Sequence, residues 1–474
     1  MGCQMTSYSC ADPEGPCEHS ATAAPRIALG VYDGLPSSRY TFLQPRKGHS
    51  SMAQDRSLNI GFISFRFCGT DGVSLETAKW AEVLEDLGHR CFYFSGESDR
   101  PAKVSMVVED AHFQHSEIVG KHRHFWAFTD RRHEDTLWIK EKTEFFYGHV
   151  KRFVDEFSID LLIPQNLFCY PLNIPLTIAL TELIAERGIQ TIAHHHDFYW
   201  ERKPYLVNSV CDYLTMAFPP TLSTVQHVVI NSSARYQLAR RRGLSSTIIP
   251  NVMNYEIDPP EPDDYTTDIR QTLGLDPDER LILQPTRVVQ RKGIEHAVEL
   301  ISRLDMKARL VISHATGDDD VGYVDRVVSY AGLLGVNILF AEQHFDEVRR
   351  TNADGKKIYS LWDVYPFADL VTYPSLFEGF GNAFLEAVYF RKPIVVNNYT
   401  IYETDIRTKG FEVVVFDDFI TDDTVEQARR LMDDPDYAKH GGETNFQLAL
   451  KHFSYRMLRN KLRILLYNAF GIVG

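Results

Sequence analysis

Residues 368–386 read ADLVTYPSLFEGFGNAFLE, and this stretch contains the three parts of a βα unit. Residues 368–373 form an apolar run of strand length, the glycines allow a tight turn, and residues 382–390 have the apolar spacing of a helix. The amide groups and the positive dipole end at the start of such a helix attract anions. The segment therefore predicts an α/β fold with an anion site at this turn.

The same alternation of strands and helices extends along most of the chain. Predicted strands are 58–65, 90–94, 160–163, 190–193, 225–230, 246–250, 280–284, 308–313, 337–340, 368–373 and 393–397. Predicted helices are 75–87, 141–157, 176–187, 234–242, 295–304, 324–334, 382–390 and 455–467. Ser74 is the expected N-cap of the first helix. Strands alternating with helices of this length predict parallel sheets covered on both faces.

Prolines and acidic residues crowd residues 254–264, where apolar periodicity stops, and this predicts an interdomain linker. The linker would separate a domain at 57–253 from a second domain at 265–454. Residues 1–56 are rich in Ser, Ala, Pro and Gly and are predicted to be a disordered tail. The basic segment 455–474 is expected to pack back on the first domain, although a simple terminal helix has the same pattern.

The composition excludes several classes of protein. The 474 residues carry a net charge of −14, which disfavours general binding to nucleic acid or to an anionic membrane. No apolar run approaches the ~20 residues that span a bilayer. Four of the seven cysteines lie in apolar segments, which favours reduced thiols and a cytoplasmic protein. The start, MGCQMT, fits the short myristoylation pattern and leaves a weak N-terminal lipid anchor open.

Cations in the second half complement the turn at 378–386. Arg287, Arg291 and Lys292 follow the predicted strand 280–284, in the equivalent βα loop. Since both loops lie at the carboxyl edge of one sheet, we expect them to converge on a diphosphate. Glu378 and Glu386 suit sugar recognition because each carboxylate accepts two hydroxyl hydrogen bonds. The alternatives are a solvated charge cluster and an ordinary acidic helix start.

A row of histidines ends a strand of the first domain. His194, His195 and His196 are followed by Asp197, then by an aromatic stretch with Arg202 and Lys203. From the residues alone, the row is compatible with a metal site or with structural histidines. The aromatic stretch and its cations suit a sugar that carries a carboxylate or phosphate, although an ordinary lid has the same composition.

A glycine turn formed by Gly69 and Gly72 lies between the first strand and the first helix. Such a turn also opens dinucleotide-binding domains. Here the spacing is not the full G-x-G-x-x-G, and no other dinucleotide pattern accompanies it.

Together these motifs resemble a known family. The pattern R-x4-K-G at 287–293, followed by P-S-x2-E-G-F-G-x4-E-A at 374–387, is similar to the donor site of family 4 glycosyltransferases of GT-B architecture, including their E-x7-E element. The resemblance extends from about residue 58 to the end of the chain. It implies two Rossmann-like domains whose parallel sheets face each other across a cleft, the first on the acceptor side and the second binding the nucleotide sugar.

The resemblance also implies roles for individual residues. Glu378, His196, Lys292 and Arg287 would be catalytic, with Arg287 and Lys292 also on the donor diphosphate and Glu386 on the ribose. The other donor-binding positions are Gly69, Gly72, Gly379, Phe380, Gly381 and Asn382. The acceptor-side positions are His194, Asp197, Arg202 and Lys203. No metal and no cofactor is expected.

The reaction implied is transfer of mannose or glucose from a nucleoside diphosphate sugar, GDP-mannose or UDP-glucose, with retention of configuration. The segments 71–76 and 196–202 are similar to those of enzymes that make glycerate glycosides, which favours a small, polar, anionic acceptor. Two alternatives share the fold. One is a phosphorylase or epimerase, and the other is a non-catalytic protein that binds sugar nucleotides.

Overall fold

The computed structural model describes residues 56–69, 71–314 and 322–471. The predicted disordered tail, apart from Arg56, and the lipid-anchor motif lie outside the described residues. In the described part of the chain, no helix is long and apolar enough to cross a membrane.

The first sheet has seven parallel strands in the order β3-β2-β1-β4-β5-β6-β7. They are β1 (Asn59–Ile63), β2 (Arg90–Ser95), β3 (Ser105–Val107), β4 (Leu161–Pro164), β5 (Gln190–His195), β6 (Val225–Val229) and β7 (Ser246–Ile248). The strand order reverses between β1 and β4. Ligands of open α/β sheets bind at such a switch point, beyond the carboxyl ends of the strands.

Helices connect these strands: α1 (Gly72–Asp86), α2 (Ser116–Phe125), α3 (His133–Glu156), α4 (Ile174–Arg187), α5 (Cys211–Ala217) and α6 (Ser232–Arg242). Helix α1 begins earlier than predicted, and its N-cap is Asp71 rather than Ser74. The Asp71 carboxylate accepts hydrogen bonds from the amides of Val73 and Ser74. Helix α3 also begins earlier, at His133 rather than at residue 141. The charged residues of its first turns obscure the helical spacing of its apolar residues.

The second sheet has six parallel strands in the order β10-β9-β8-β14-β15-β16. They are β8 (Arg280–Gln284), β9 (Ala308–Ile312), β10 (Asn337–Phe340), β14 (Leu370–Tyr373), β15 (Ile394–Asn397) and β16 (Val414–Phe416). A small sheet between them is formed by β11 (Phe345–Asp346), β12 (Arg350–Thr351) and β13 (Lys357–Ser360). Two separate parallel sheets confirm the predicted α/β class.

The helices of this half are α7 (Ile269–Thr272), α8 (Ile294–Leu304), α9 (Tyr323–Leu334), α10 (Leu361–Val364), α11 (Asn382–Tyr389), α12 (Asp422–Asp433) and α13 (Pro435–His452). The last helix, α14 (Tyr455–Phe470), belongs to the other half of the molecule. Its apolar face, with Leu458 and Leu462, packs under the first sheet in one core with Trp80 of α1.

The chain crosses between the two sheets at residues 249–253 and again at 453–454. The two crossings are hydrogen-bonded, since the amide of Met253 donates to the carbonyl of Phe453 at 2.9 Å. On the first-domain side, Lys79 of α1 donates to the carbonyl of Val252 at 2.6 Å, and the buried Glu76 pairs with Lys79. The exact domain boundaries stay a prediction.

Two histidines of neighbouring strands share a hydrogen bond inside the first sheet. His195 Nε2 of β5 lies 3.0 Å from His227 Nδ1 of β6, and both residues are buried. Burial lowers the pKa of His227 to about 4 and places the pKa of His195 well below its ordinary value. Both imidazoles are therefore neutral in the folded protein at neutral pH.

This burial predicts a loss of stability in mild acid. The unfolded chain binds a proton at His227 below about pH 6.5, whereas the folded protein does not do so until about pH 4, and burial also lowers the pKa of His195. The free energy of unfolding should fall as the pH drops from 6.5 to 4, by roughly 1.4 kcal/mol per pH unit for each such histidine. Urea titrations at pH 7.5, 6 and 5 measure this slope.

The variant His227→Gln should have a shallower slope than the wild-type protein. His133 is exposed at the start of α3, so His133→Gln is the matched control and should keep the wild-type slope. Equal slopes for His227→Gln and the wild-type protein would contradict the conclusion that His227 is kept neutral by burial in the folded protein.

Candidate active site

Glu378 lies in the loop between β14 and α11, where two cations converge on it. Its Oε1 accepts a hydrogen bond from Lys292 Nζ, and its Oε2 accepts one from Arg291 Nη1 at 3.0 Å. The side chains of Glu378 and Lys292 are each only 10% exposed. The structure therefore brings together the two βα loops that the sequence placed at one sheet edge.

The charge of Glu378 is maintained by these neighbours. Burial alone would raise the pKa of Glu378, but the Lys292 ammonium and the Arg291 guanidinium outweigh burial and hold the pKa below its ordinary value. Glu378 is therefore a carboxylate at neutral pH, already oriented by two ion pairs. Arg291 was not among the assigned site residues, although its place in the cation cluster pointed to it.

Glu386 has a different environment, one turn into α11. Its Oε2 accepts a hydrogen bond from the Tyr365 hydroxyl at 2.8 Å. Burial raises the pKa of Glu386, with Tyr365 and the Lys79 ammonium acting in the opposite direction. Asn382, at the start of the same helix, accepts a hydrogen bond on Oδ1 from Asn251 Nδ2 at 2.7 Å. Asn382 thus contacts the first crossing between the domains.

The glycine turn before α11 is closely packed. Gly381 has a φ of +131°, and a β-carbon there would lie 2.6 Å from the Tyr399 hydroxyl. That hydroxyl donates to the carbonyl of Phe380 at 2.7 Å. The carbonyl of Gly379 accepts from Asn231 Nδ2 of the first domain at 2.8 Å. Among the described residues, no side chain caps the start of α11, so its first amides can bind an anion.

Arg287 lies beside this turn with its side chain exposed. In the described ranges its guanidinium forms no hydrogen bond or ion pair. Burial lowers the pKa of His314 to about 4, and the charges of Lys292 and Arg287 act in the same direction. Arg287, Lys292 and His314 therefore lie near one another at the carboxyl edge of the second sheet. His314 was missed from the sequence, although its position just after β9 at the carboxyl edge was a usable signal.

His196 lies opposite the glycine turn, on the first domain. A β-carbon at Gly379 would lie 3.9 Å from the carbonyl oxygen of His196. Burial lowers the pKa of His196 to about 4, so its ring is neutral at pH 7. Its Nε2 is buried without a hydrogen-bond partner among the described residues. A neutral imidazole with an unused nitrogen can bind a sugar hydroxyl.

The other two histidines of the row have partners within the first domain. His194 stacks on Trp80 at 4.2 Å between ring centroids, and its Nδ1 lies 2.8 Å from Gln165 Oε1. His195 shares a hydrogen bond with His227, as described above. The structure thus gives His194 and His195 structural contacts, and the acceptor-side role of His194 stays a prediction.

Asp197 connects the row to the neighbouring loops. Its Oδ2 accepts from Arg202 Nε at 3.0 Å and from Nη2 at 2.5 Å, and its Oδ1 accepts from Asn166 Nδ2 at 3.1 Å. Asn166, just after β4, also accepts the amide of His196 at 3.0 Å and has a left-handed φ of +56°. Sequence reasoning missed Asn166, which fixes the loop. Lys203 is exposed.

The first-domain glycine turn lies across from the glycine turn that precedes α11. Gly72 is the first residue of α1, and a β-carbon there would lie 4.0 Å from Asn382 Nδ2. Gly69 has a left-handed φ of +68°, and its amide donates to Asp99 Oδ2 at 3.2 Å. Thr70, between them, lies outside the described residues.

Comparison with known proteins agrees with this geometry. The sequence profile of the family described as "Glycosyl transferases group 1" matches residues 352–447. Mannosylglucosylglycerate synthase of Petrotoga mobilis is 31% identical over 379 residues, which cover 75% of this chain and 86% of that protein. The chain belongs to the glycosyltransferases.

A second relative of this glycosyltransferase is the mannosylglucosylglycerate synthase of Thermotoga maritima. It is 30% identical over 440 residues, which cover 85% of this chain and 99% of that protein. Among solved structures, sucrose-phosphate synthase of Thermosynechococcus elongatus matches with a TM-score of 0.61 and 16% identity, over 88% of this chain and 100% of the other. The fold of this glycosyltransferase is therefore the GT-B architecture.

The packing of the donor turn predicts that Gly381→Ala abolishes transfer. The added methyl group would meet the Tyr399 hydroxyl, and alanine rarely adopts this φ. We expect kcat/KM to fall by about 100-fold or more, because a displacement of 1 Å at the donor has that effect. Gly148, in α3 with open space around it, is the control, and Gly148→Ala should keep wild-type activity. An active Gly381→Ala enzyme would contradict this account of the turn.

Proposed function

We propose that this enzyme transfers a hexose, mannose or glucose, from a nucleoside diphosphate sugar to the glycoside of glycerate or a similar small anionic acceptor, with retention of configuration. The observation that carries the proposal is the Glu378 carboxylate, held by Lys292 and Arg291 at the turn that faces His196. The names of the two relatives, both mannosylglucosylglycerate synthases, support the acceptor class.

In this proposal the second domain holds the donor. The exposed Arg287 and the Lys292 ammonium bind the diphosphate, together with the uncapped amides at the start of α11. These groups stabilise the negative charge that develops on the nucleoside diphosphate as it leaves. Glu386 accepts the ribose hydroxyls, in an orientation fixed by Tyr365.

Glu378 and His196 act on either side of the transferred sugar. The Glu378 carboxylate accepts hydroxyl hydrogen bonds and stabilises the positive charge at the anomeric carbon in the transition state. The free Nε2 of His196 accepts a hydrogen bond from a sugar hydroxyl and orients the ring. The acceptor hydroxyl then forms the new glycosidic bond as the bond to the diphosphate breaks, and its proton passes to the departing phosphate oxygen.

GDP-mannose and UDP-glucose are the proposed donors, and the reaction is proposed to need no metal and no cofactor. The four cysteines in the described residues are free thiols, in accord with a cytoplasmic enzyme. A thermal-shift panel of GDP, UDP and ADP identifies the base, because the ligand that binds most tightly raises the melting temperature most. Activity that survives a chelating agent supports transfer without a metal.

Removing either member of the ion pair should abolish transfer. We expect Glu378→Gln and Lys292→Ala each to lower kcat by about 100- to 1000-fold, because each removes a charge aimed at the transition state. Thermal unfolding shows whether the variants remain folded. Lys439 is exposed on α13, away from these loops, so Lys439→Ala is the control and should keep the wild-type kcat. Unchanged turnover in a folded Glu378→Gln, Lys292→Ala double variant would exclude this site.

The assay also separates hexosyl transfer from its two alternatives, a phosphorylase or epimerase and a non-catalytic sugar-nucleotide-binding protein. NMR of the product shows whether the anomeric configuration is retained. Release of a sugar phosphate from a glycoside and phosphate would indicate a phosphorylase, and conversion of the donor alone would indicate an epimerase. Donor binding without turnover on any acceptor would indicate a sugar-nucleotide-binding protein.

A further inference from the structure

Arg66 lies at the switch point of the first sheet, three residues after the end of β1. Its guanidinium is 5.5 Å from the centre of the Phe113 ring, and its side chain is 32% exposed. The aromatic ring packs against one side of the cation, and about a third of the side chain stays accessible to solvent. The position is one where α/β sheets bind ligands.

The guanidinium of Arg66 donates no hydrogen bond to the described residues. Its Nη2 forms a long ion pair with Asp71 Oδ2, at 3.5 Å, in which no hydrogen bond joins the two groups. Asp71 instead accepts the amides of Val73 and Ser74 and the Ser74 hydroxyl at the start of α1. The N–H groups of the planar Arg66 guanidinium are therefore available to a ligand.

Two other arginines near the same edge are already engaged. Arg202 donates through Nε and Nη2 to Asp197. Arg100 donates through Nη2 to the carbonyl of Ser74 at 3.3 Å. Of these three arginines, Arg66 is the one whose guanidinium donates no hydrogen bond to the described residues, so its N–H groups can be donated to an anion.

Arg66 also lies close to the donor turn. Its neighbour Asp71 precedes Gly72, which lies across from Asn382 at the start of α11. An anion held by Arg66 would thus belong to a molecule that lies beside the transferred sugar. Asp71 in this turn and the half-exposed Asp99, which accepts a hydrogen bond from the Gly69 amide, are both acidic, so a carboxylate would be repelled there without the arginine.

We propose that Arg66 binds the carboxylate of the acceptor and thereby sets the preference of the enzyme for an anionic glycoside over a neutral one. The inference rests on the proposed transfer to an acceptor glycoside and names the residue that selects it. A bidentate pair between the guanidinium and the carboxylate fixes the orientation of the acceptor as well as its affinity. The acceptor hydroxyl is then held towards the anomeric carbon of the donor.

The test compares two acceptors that differ in one group, glucosylglycerate and glucosylglycerol. In the wild-type enzyme the KM for glucosylglycerate should be lower than the KM for glucosylglycerol. Arg66→Gln should raise the KM for glucosylglycerate by about 10- to 100-fold, the range for one charged hydrogen-bonded contact. The KM for glucosylglycerol and the KM for the donor should change less than about twofold. Arg66→Lys should restore part of the affinity, because it keeps the charge but not the fork.

Arg90, exposed at the start of β2 on the opposite edge of the sheet, provides the control. Arg90→Gln removes the same charge from the protein and should leave both acceptor KM values unchanged. Equal rises in both KM values for a folded Arg66→Gln enzyme, or no rise in either, would overturn the proposal. A glucosyl-3-phosphoglycerate acceptor with a KM below that of glucosylglycerate would assign the site to phosphate instead.

Binding measurements keep this inference separate from the proposed function. Glucosylglycerate is titrated calorimetrically into the enzyme saturated with the nucleoside diphosphate. Suppose that the wild-type protein binds glucosylglycerate, that Arg66→Gln binds it at least about 10-fold more weakly, and that no transfer occurs. The carboxylate site is then supported, and the proposed transfer reaction is wrong. If the wild-type protein does not bind it, the carboxylate site is wrong.

Discussion

The ion pairs between Glu378 and the cations Lys292 and Arg291 are the interactions on which the site depends. A buried carboxylate is costly unless it is paired and hydrogen-bonded, and here both its oxygens have cationic donors. The same pairing ties the loop after β14 to the loop after β8, two neighbouring strands. A single arrangement thus gives the loop its conformation, gives the carboxylate its charge and brings the cations to the place where the diphosphate is expected.

The two domains meet around this arrangement through polar side chains of the first domain and its crossing. Asn231 donates to Gly379, and Asn251 donates to Asn382, on the two sides of the glycine turn. Lys79 and Glu76 hold the crossing at Val252 from the other direction.

The first domain divides its polar residues between support and recognition. Asn166 and Arg202 fix the loop at 194–197, and the row of histidines is kept neutral by burial. The Nε2 of His196 is buried without a partner among the described residues, and Arg66, which is paired at 3.5 Å with Asp71, donates no hydrogen bond to them. These two groups support the proposed acceptor, which offers hydroxyl groups at one end and an anion at the other.

The sequence by itself determined the α/β class, the two sheets and the turn at 378–386, because apolar period, glycine position and residue spacing are local properties. It also placed Lys292 and Glu378 at one sheet edge. Tertiary structure alone decided that Arg291 shares Glu378 and that Asn166 holds His196. These outcomes depend on distances between strands that are far apart in the chain, such as β4 and β5 or β8 and β14, and no local pattern encodes those distances.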